Sequence, residues 1–223
     1  MDSPTHRSAG APHLWLAVHE AAHAVAGLAL DELPPYPGPF LRSVSALPGA
    51  GTLGHCAKPM RVVCDMIPLA AYPAEFRDNA AIQCRYDIIE SLAGPMAEAR
   101  QRGGMMAVAV SRRQWIATLL DVDPVDETED AARIQQSLAW LDTPDRAAEI
   151  DRLWSVAQAL LHAEWPGICA MGRVLRDAGQ IEGHAFKLAW LAARPAAKAR
   201  QRRLEMAGLA EDWRLFVAAP GQA

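Results

Sequence analysis

Apolar positions recur at helical spacing from residue 12 to residue 30, where Leu14, Val18, Val25 and Leu28 fall along one face. The run Leu33-Pro34-Pro35-Tyr36-Pro37-Gly38-Pro39 ends that pattern, because proline has no N–H with which to continue a helix. Between residues 41 and 56 the rhythm changes. Val44-Ser45-Ala46-Leu47, a Pro48-Gly49-Ala50-Gly51 turn, and Thr52-Leu53-Gly54-His55-Cys56 predict strand, turn and strand, the one clear β signal in the chain. Helical periodicity returns over 74–100, with Ala81, Cys84, Ile88 and Leu92 on one stripe. Within it Gly94-Pro95 predicts a kink or the start of a second helix, and Gly103-Gly104 predicts a stop. Residues 105–120 are apolar without a clear period, and an acidic run follows over 121–130. Three further helices are expected over 127–141, 144–164 and 166–178, the last two opening at proline. Beyond them Arg194, Lys198, Arg200, Arg202 and Arg203 predict a solvated basic helix. The organisation expected is an N-terminal tail (1–11), one domain (12–190) and a basic helical tail (191–223).

Composition narrows the class. At 51% hydrophobic and 22% charged residues the 223-residue chain has ordinary globular usage and enough length to bury a core. Its 22 Lys+Arg against 26 Asp+Glu give a net charge of −4, which argues against nucleic acid as the main partner. No apolar run is long enough to span a bilayer, and Met1-Asp2-Ser3-Pro4 does not read as a secretory signal. A soluble, cytoplasmic protein is expected. The four cysteines form no CxxC pair, which excludes a zinc ribbon or a thioredoxin motif and leaves free, mostly buried thiols.

The chemistry concentrates in His19-Glu20-Ala21-Ala22-His23. Residues four apart on a helix lie one above the other, so both imidazoles project toward a single point. Zinc suits such a pair, because neutral imidazole ligands leave a position for water, whose pKa the ion lowers to about 7. Glu20 stands close enough to act on that water without being a ligand. Two histidines do not complete a site. A third protein ligand has to come from elsewhere, and periodicity does not choose among Glu90, Glu98, Asp121, Asp123, Asp126, Glu127, Glu129 and Asp130.

The sequence resembles the peptidase domain of the FtsH family, the membrane-anchored AAA zinc proteases. His19-Glu20-Ala21-Ala22-His23-Ala24 is similar to the family's H-E-A-G-H-A, and Val44-Ser45-Ala46-Leu47-Pro48 with Leu53-Gly54 resembles its strand and L-G turn. Ile89-Glu90-Ser91-Leu92-Ala93-Gly94-Pro95-Met96-Ala97-Glu98 resembles a helix written L-x-G-R-A-A-E-E, with Pro95 in place of the arginine. Thr128-Glu129-Asp130-Ala131-Ala132-Arg133 is similar to S-N-D-[IL]-x-x-A, and the stretch from Leu160 to Gly183 resembles the closing helix pair. The segment between Glu98 and Asp130 is longer than in the family, with 105–120 as the insertion. No G-x-x-x-x-G-K-[ST] is present, so the likeness is to a peptidase domain alone.

The resemblance implies a mainly α, zincin-like fold with a small β-hairpin or sheet beside the H-E-x-x-H helix. It also implies zinc held by His19, His23 and Asp130, with Glu20 as general base and Glu98 beside the site, orienting a histidine rather than ligating. The expected activity is an ATP-independent zinc endopeptidase cutting internal bonds of unfolded segments or of a dedicated protein partner, with polypeptide as substrate. Homo-oligomerisation stays open. The rival expectation is a catalytically weak or inactive peptidase fold acting as a zinc-stabilised peptide-binding module.

Overall fold

The structure is a computed structural model that describes residues 12–33, 41–48, 54–59, 61, 69–121, 129–141, 143–194 and 196. The elements run α1 (Leu14–Leu30), β1 (Ser43–Ser45), β2 (His55–Ala57), a 3-10 turn (Leu69–Ala71), α2 (Ala74–Asp121), α3 (Glu129–Leu141), α4 (Arg146–Ala178), β3 (Gln180–Glu182) and α5 (Gly183–Ala193). The described residues are therefore mainly helical, with one small three-stranded sheet. None of these helices is long and apolar enough to cross a membrane.

The helix that carries both histidines is the centre of the molecule. From Leu16 to Leu30 every residue of α1 except His19 is buried, as befits a helix that is apolar nearly all round. It packs against both α2 and α4. Its many alanines, Ala17, Ala21, Ala22 and Ala24 among them, keep the surface smooth and the neighbouring helices close. Against α2 it runs antiparallel, with His19 beside Glu98 and His23 beside Glu90. Trp154 of α4 and Phe186 and Trp190 of α5 complete the core.

Pro95, expected to kink its helix or start a second one, and Pro166, expected to open a helix, both lie inside continuous helices. α2 runs through Gly94-Pro95, where Leu92, Ala93, Met96 and Ala97 are buried on both sides of the proline. α4 carries Pro166 in the same way between Leu161 and Ile168. A proline removes one backbone hydrogen bond, and burial of the flanking turns outweighs that loss. The real interruption of α2 is Gly104, whose φ of 68° and ψ of −165° separate 74–103 from a second helical stretch over 105–121. The apolar 105–120 segment is thus helical. α4 opens on Asp145, whose carboxylate accepts from the Ala148 N–H at 2.9 Å, and closes at Gly179 with φ 74°.

β1 and β2 pair antiparallel as expected, with Val44 opposite Cys56, while residues 49–51 of the expected Pro48–Gly51 turn lie outside the described residues. The third strand was not expected. β3 pairs antiparallel with β1, Val44 opposite Ile181, giving the order β2-β1-β3. β2 therefore forms an edge of the sheet. The expected tail boundary at residue 190 falls within α5, and Arg194 pairs with Glu32 and with the fully buried Glu164. Residues 1–11 and 197–223 lie outside the described residues.

Candidate metal centre

His19 and His23 lie four apart on α1 and turn their Nε2 atoms to within 3.1 Å of each other. Asp130, in the first turn of α3, brings Oδ2 to 3.3 Å from His19 Nε2 and 3.2 Å from His23 Nε2. Three donor atoms on two helices thus converge on one point. Among the described residues this is the cluster of histidine, cysteine and carboxylate side chains able to hold a metal ion.

The opposite nitrogen of each ring is also anchored. His23 Nδ1 donates to the Glu90 backbone carbonyl at 2.8 Å, and His19 Nδ1 donates to Glu98 Oε2 at 3.2 Å. With Nδ1 so engaged, Nε2 is the ring atom each histidine turns toward the convergence point. Both anchors belong to α2, at positions separated by Gly94. Glu90, Gly94 and Glu98 form one stripe of that helix, four residues apart, facing the histidine stripe of α1. A Cβ at Gly94 would stand 2.7 Å from His19 Nε2 and nearer still to the His23 ring, so only glycine leaves room for the pair.

Electrostatics reflect this crowding. Burial by itself would lower the His19 pKa, but hydrogen bonds to Asp130 and Glu98 prevail and hold it at about 10. Burial likewise works against a charged His23, and the Asp130 carboxylate raises its pKa nonetheless. Asp130 behaves conversely. Burial opposes its ionisation, yet the two imidazoles hold its carboxyl well below the usual carboxylate range. Without a metal the triad retains a proton in place of a cation.

Glu20 is 5% exposed, and burial raises its pKa while both histidines work in the opposite direction. It lines the same cavity as the triad, a space of about 750 Å³ walled also by Trp15, His55, Cys56, Arg102, Trp115 and Arg133. Edge strand β2 contributes His55 and Cys56 to this wall, and the second stretch of α2 contributes Trp115.

The structure places the four expected site residues, His19, Glu20, His23 and Asp130, around one cavity. Glu98 stands against His19, as expected of an orienting group. Glu90 is set apart as a ligand candidate, because its carboxylate pairs with Lys58 at 3.1 Å. Asp123, Asp126 and Glu127 lie outside the described residues, as do the side chains of Asp121 and Glu129. Sequence reasoning missed the Glu90 carbonyl and Gly94, although the spacing of Glu90, Gly94 and Glu98 repeats that of the histidines. Cys56, Cys84 and Cys169 are free thiols, and Cys64 lies outside the described residues. No protein-family model matches this chain and no curated protein matches its sequence, so the chemistry of the site has to be read from its own geometry.

Proposed function

We propose that the chain is a zinc-dependent endopeptidase with a zincin-like fold, His19, His23 and Asp130 being the metal ligands and Glu20 the general base. The observation that carries this reading is the donor triangle with edges of 3.1, 3.2 and 3.3 Å. Tetrahedral ligands about 2.0–2.1 Å from zinc stand about 3.3 Å from one another, so the triangle has the size of one face of a zinc tetrahedron. Two imidazoles and one carboxylate are also a donor set that leaves the fourth position for water or substrate.

A zinc ion bound there supplies Lewis-acid polarisation of a carbonyl and a water of lowered pKa. Glu20 takes the proton from the attacking water and returns it to the departing amine. Burial favours that role, since a carboxylate with a raised pKa accepts a proton more readily at neutral pH. Asp130 offsets the charge of the ion, while Glu98 and the Glu90 carbonyl keep the imidazoles oriented. Strand β2, at the sheet edge and in the cavity wall, offers main-chain groups to an extended peptide, which suits binding with little sequence preference. The resemblance to the FtsH peptidase domain supports the same reading.

Glu20→Gln tests it. The variant is expected to bind one zinc per chain with wild-type affinity and to lose cleavage of unfolded casein by about 100-fold or more, the scale of a missing general base. A wild-type chain that holds zinc stoichiometrically and still leaves casein intact would favour the peptide-binding module instead.

A further inference from the structure

The Glu98 carboxylate is divided between two partners. Oε2 takes the His19 Nδ1–H at 3.2 Å, and Oε1 takes Arg102 Nη2 at 2.9 Å, one helical turn further along α2. The guanidinium of Arg102 in turn lies over the Trp15 ring, 4.0 Å from its centroid. Trp15 stands four residues before His19 on α1 and stacks with His13 at 5.9 Å. A closed circuit therefore runs from His19 to Glu98, to Arg102, to Trp15 and back along α1 to His19. Every link in it is planar or forked, which is what fixes orientation as well as distance.

We propose that Arg102 is a positioning residue of the metal centre, holding Glu98 so that the His19 ring keeps Nε2 turned toward Asp130 and the metal. The physical case is one of freedom removed. A glutamate with one oxygen engaged can still turn about three side-chain bonds, and a carboxylate that wanders releases the Nδ1–H that sets the ring. With Oε1 held by Arg102, and Arg102 itself pinned on Trp15, the rotamer that meets His19 is selected before the metal arrives. The assignment rests on reading the triad as a zinc site, but not on any peptide being cut there.

Glu98 is 25% exposed and Arg102 53% exposed, so the effect is smaller than that of a group bonded directly to a ligand. Arg102→Gln is expected to weaken zinc binding about 3–10-fold, read by competition with a chromogenic chelator, and Glu98→Ala about 10–100-fold. The deciding measurement is the double variant. If Arg102 acts through Glu98, Arg102→Gln adds no further loss of zinc affinity in the Glu98→Ala background. Arg102→Lys, which keeps a charge but not the flat fork, should fall between wild type and Arg102→Gln. Cobalt-loaded Arg102→Gln should also show a shifted visible ligand-field band, which a general loss of stability would not produce.

Equal losses from Arg102→Gln in both backgrounds would overturn the proposal, as would an unchanged affinity in the single variant. A wild-type chain that takes up no zinc would overturn the zinc reading and this assignment with it. All these readouts use the metal alone, so a protein that binds zinc but fails on casein loses the peptidase reading and keeps this one.

Discussion

Two clusters of buried charge share the seam between α1 and α2, and they are built on opposite principles. At one end, where His19, His23 and Gly94 meet, three donors crowd together, and among the described residues Asp130 pairs with the two histidines rather than with a lysine or arginine. One helical turn along, at Gly27 and Glu90, Lys58 and Arg61 lie among Asp31, Asp87 and Glu90, with the cationic side chains only 2% and 1% exposed. Each cluster has its own glycine. A Cβ at Gly27 would stand 2.6 Å from Lys58 Nζ, just as one at Gly94 would invade the histidine rings. Glu90 belongs to both, its carbonyl on His23 and its carboxylate on Lys58. The difference teaches what to seek in a buried polar cluster. Where the chain supplies its own counter-ions, the cluster is part of the scaffold. Where donors are forced together with no lysine or arginine to pair with them, the cluster is a candidate for an ion from outside.

The sharpest way to break this distinction is to remove a partner from each cluster in turn. Lys58→Met strips a buried cation from its carboxylates and should destabilise the fold by roughly 3–5 kcal/mol, while zinc affinity of the folded protein changes little. Chemical denaturation and chelator competition read the two quantities separately, and a large loss of zinc affinity would show that the clusters are one unit. Asp130→Ala should do the reverse. Structural zinc sites release about 10–16 kcal/mol over four ligands, so losing one should cost roughly 100–1000-fold in zinc affinity. The helical circular dichroism of the metal-free protein should be retained. A variant that binds zinc as the wild type does would remove Asp130 from the site.

The smallest expected effect is one of pH. The Asp130 and Glu98 hydrogen bonds raise the His19 pKa to about 10 against the pull of burial. In the metal-free protein this contributes stability that is fully present below the ordinary histidine pKa, about 6.5, and is lost as pH rises through about 10. Zinc must expel that proton, so its affinity should climb about tenfold per pH unit between neutrality and pH 9. Calorimetry in buffers of different ionisation heat would count the protons released. A zinc affinity independent of pH would mean that the triad holds no proton to displace.

How much of this was legible in the sequence depended on whether a feature is local. The histidine pair and its glutamate were legible because four-residue spacing on a helix is a local rule, and the β1–β2 hairpin for the same reason. Asp130 was not singled out by spacing, since eight carboxylates competed for one role and only the resemblance chose among them. Pro95 was read as a kink or a helix start, and Pro166 as a helix start, because proline's own chemistry says so. Tertiary burial of the turns around them, set by distant residues, carries both helices through and sets the helix-start readings aside. β3 is three residues long, too short to carry a period, and exists because β1 offers it a partner more than 130 positions earlier in the chain. Gly94 illustrates the limit best. A helical glycine reads as a weak point until the rings that fill its space are known.

The position of β3 also has a consequence in time. β2, which lines the cavity, is held by β1, and the far side of β1 is closed by residues 180–182. During synthesis from the N-terminus the candidate ligands on α1 and α3 are made long before that strand leaves the ribosome. The sheet on which edge strand β2 rests is therefore completed late, because its β1–β3 pairing joins segments more than 130 positions apart. Nascent chains would thus carry the candidate metal triad before the three-stranded sheet beside it is complete.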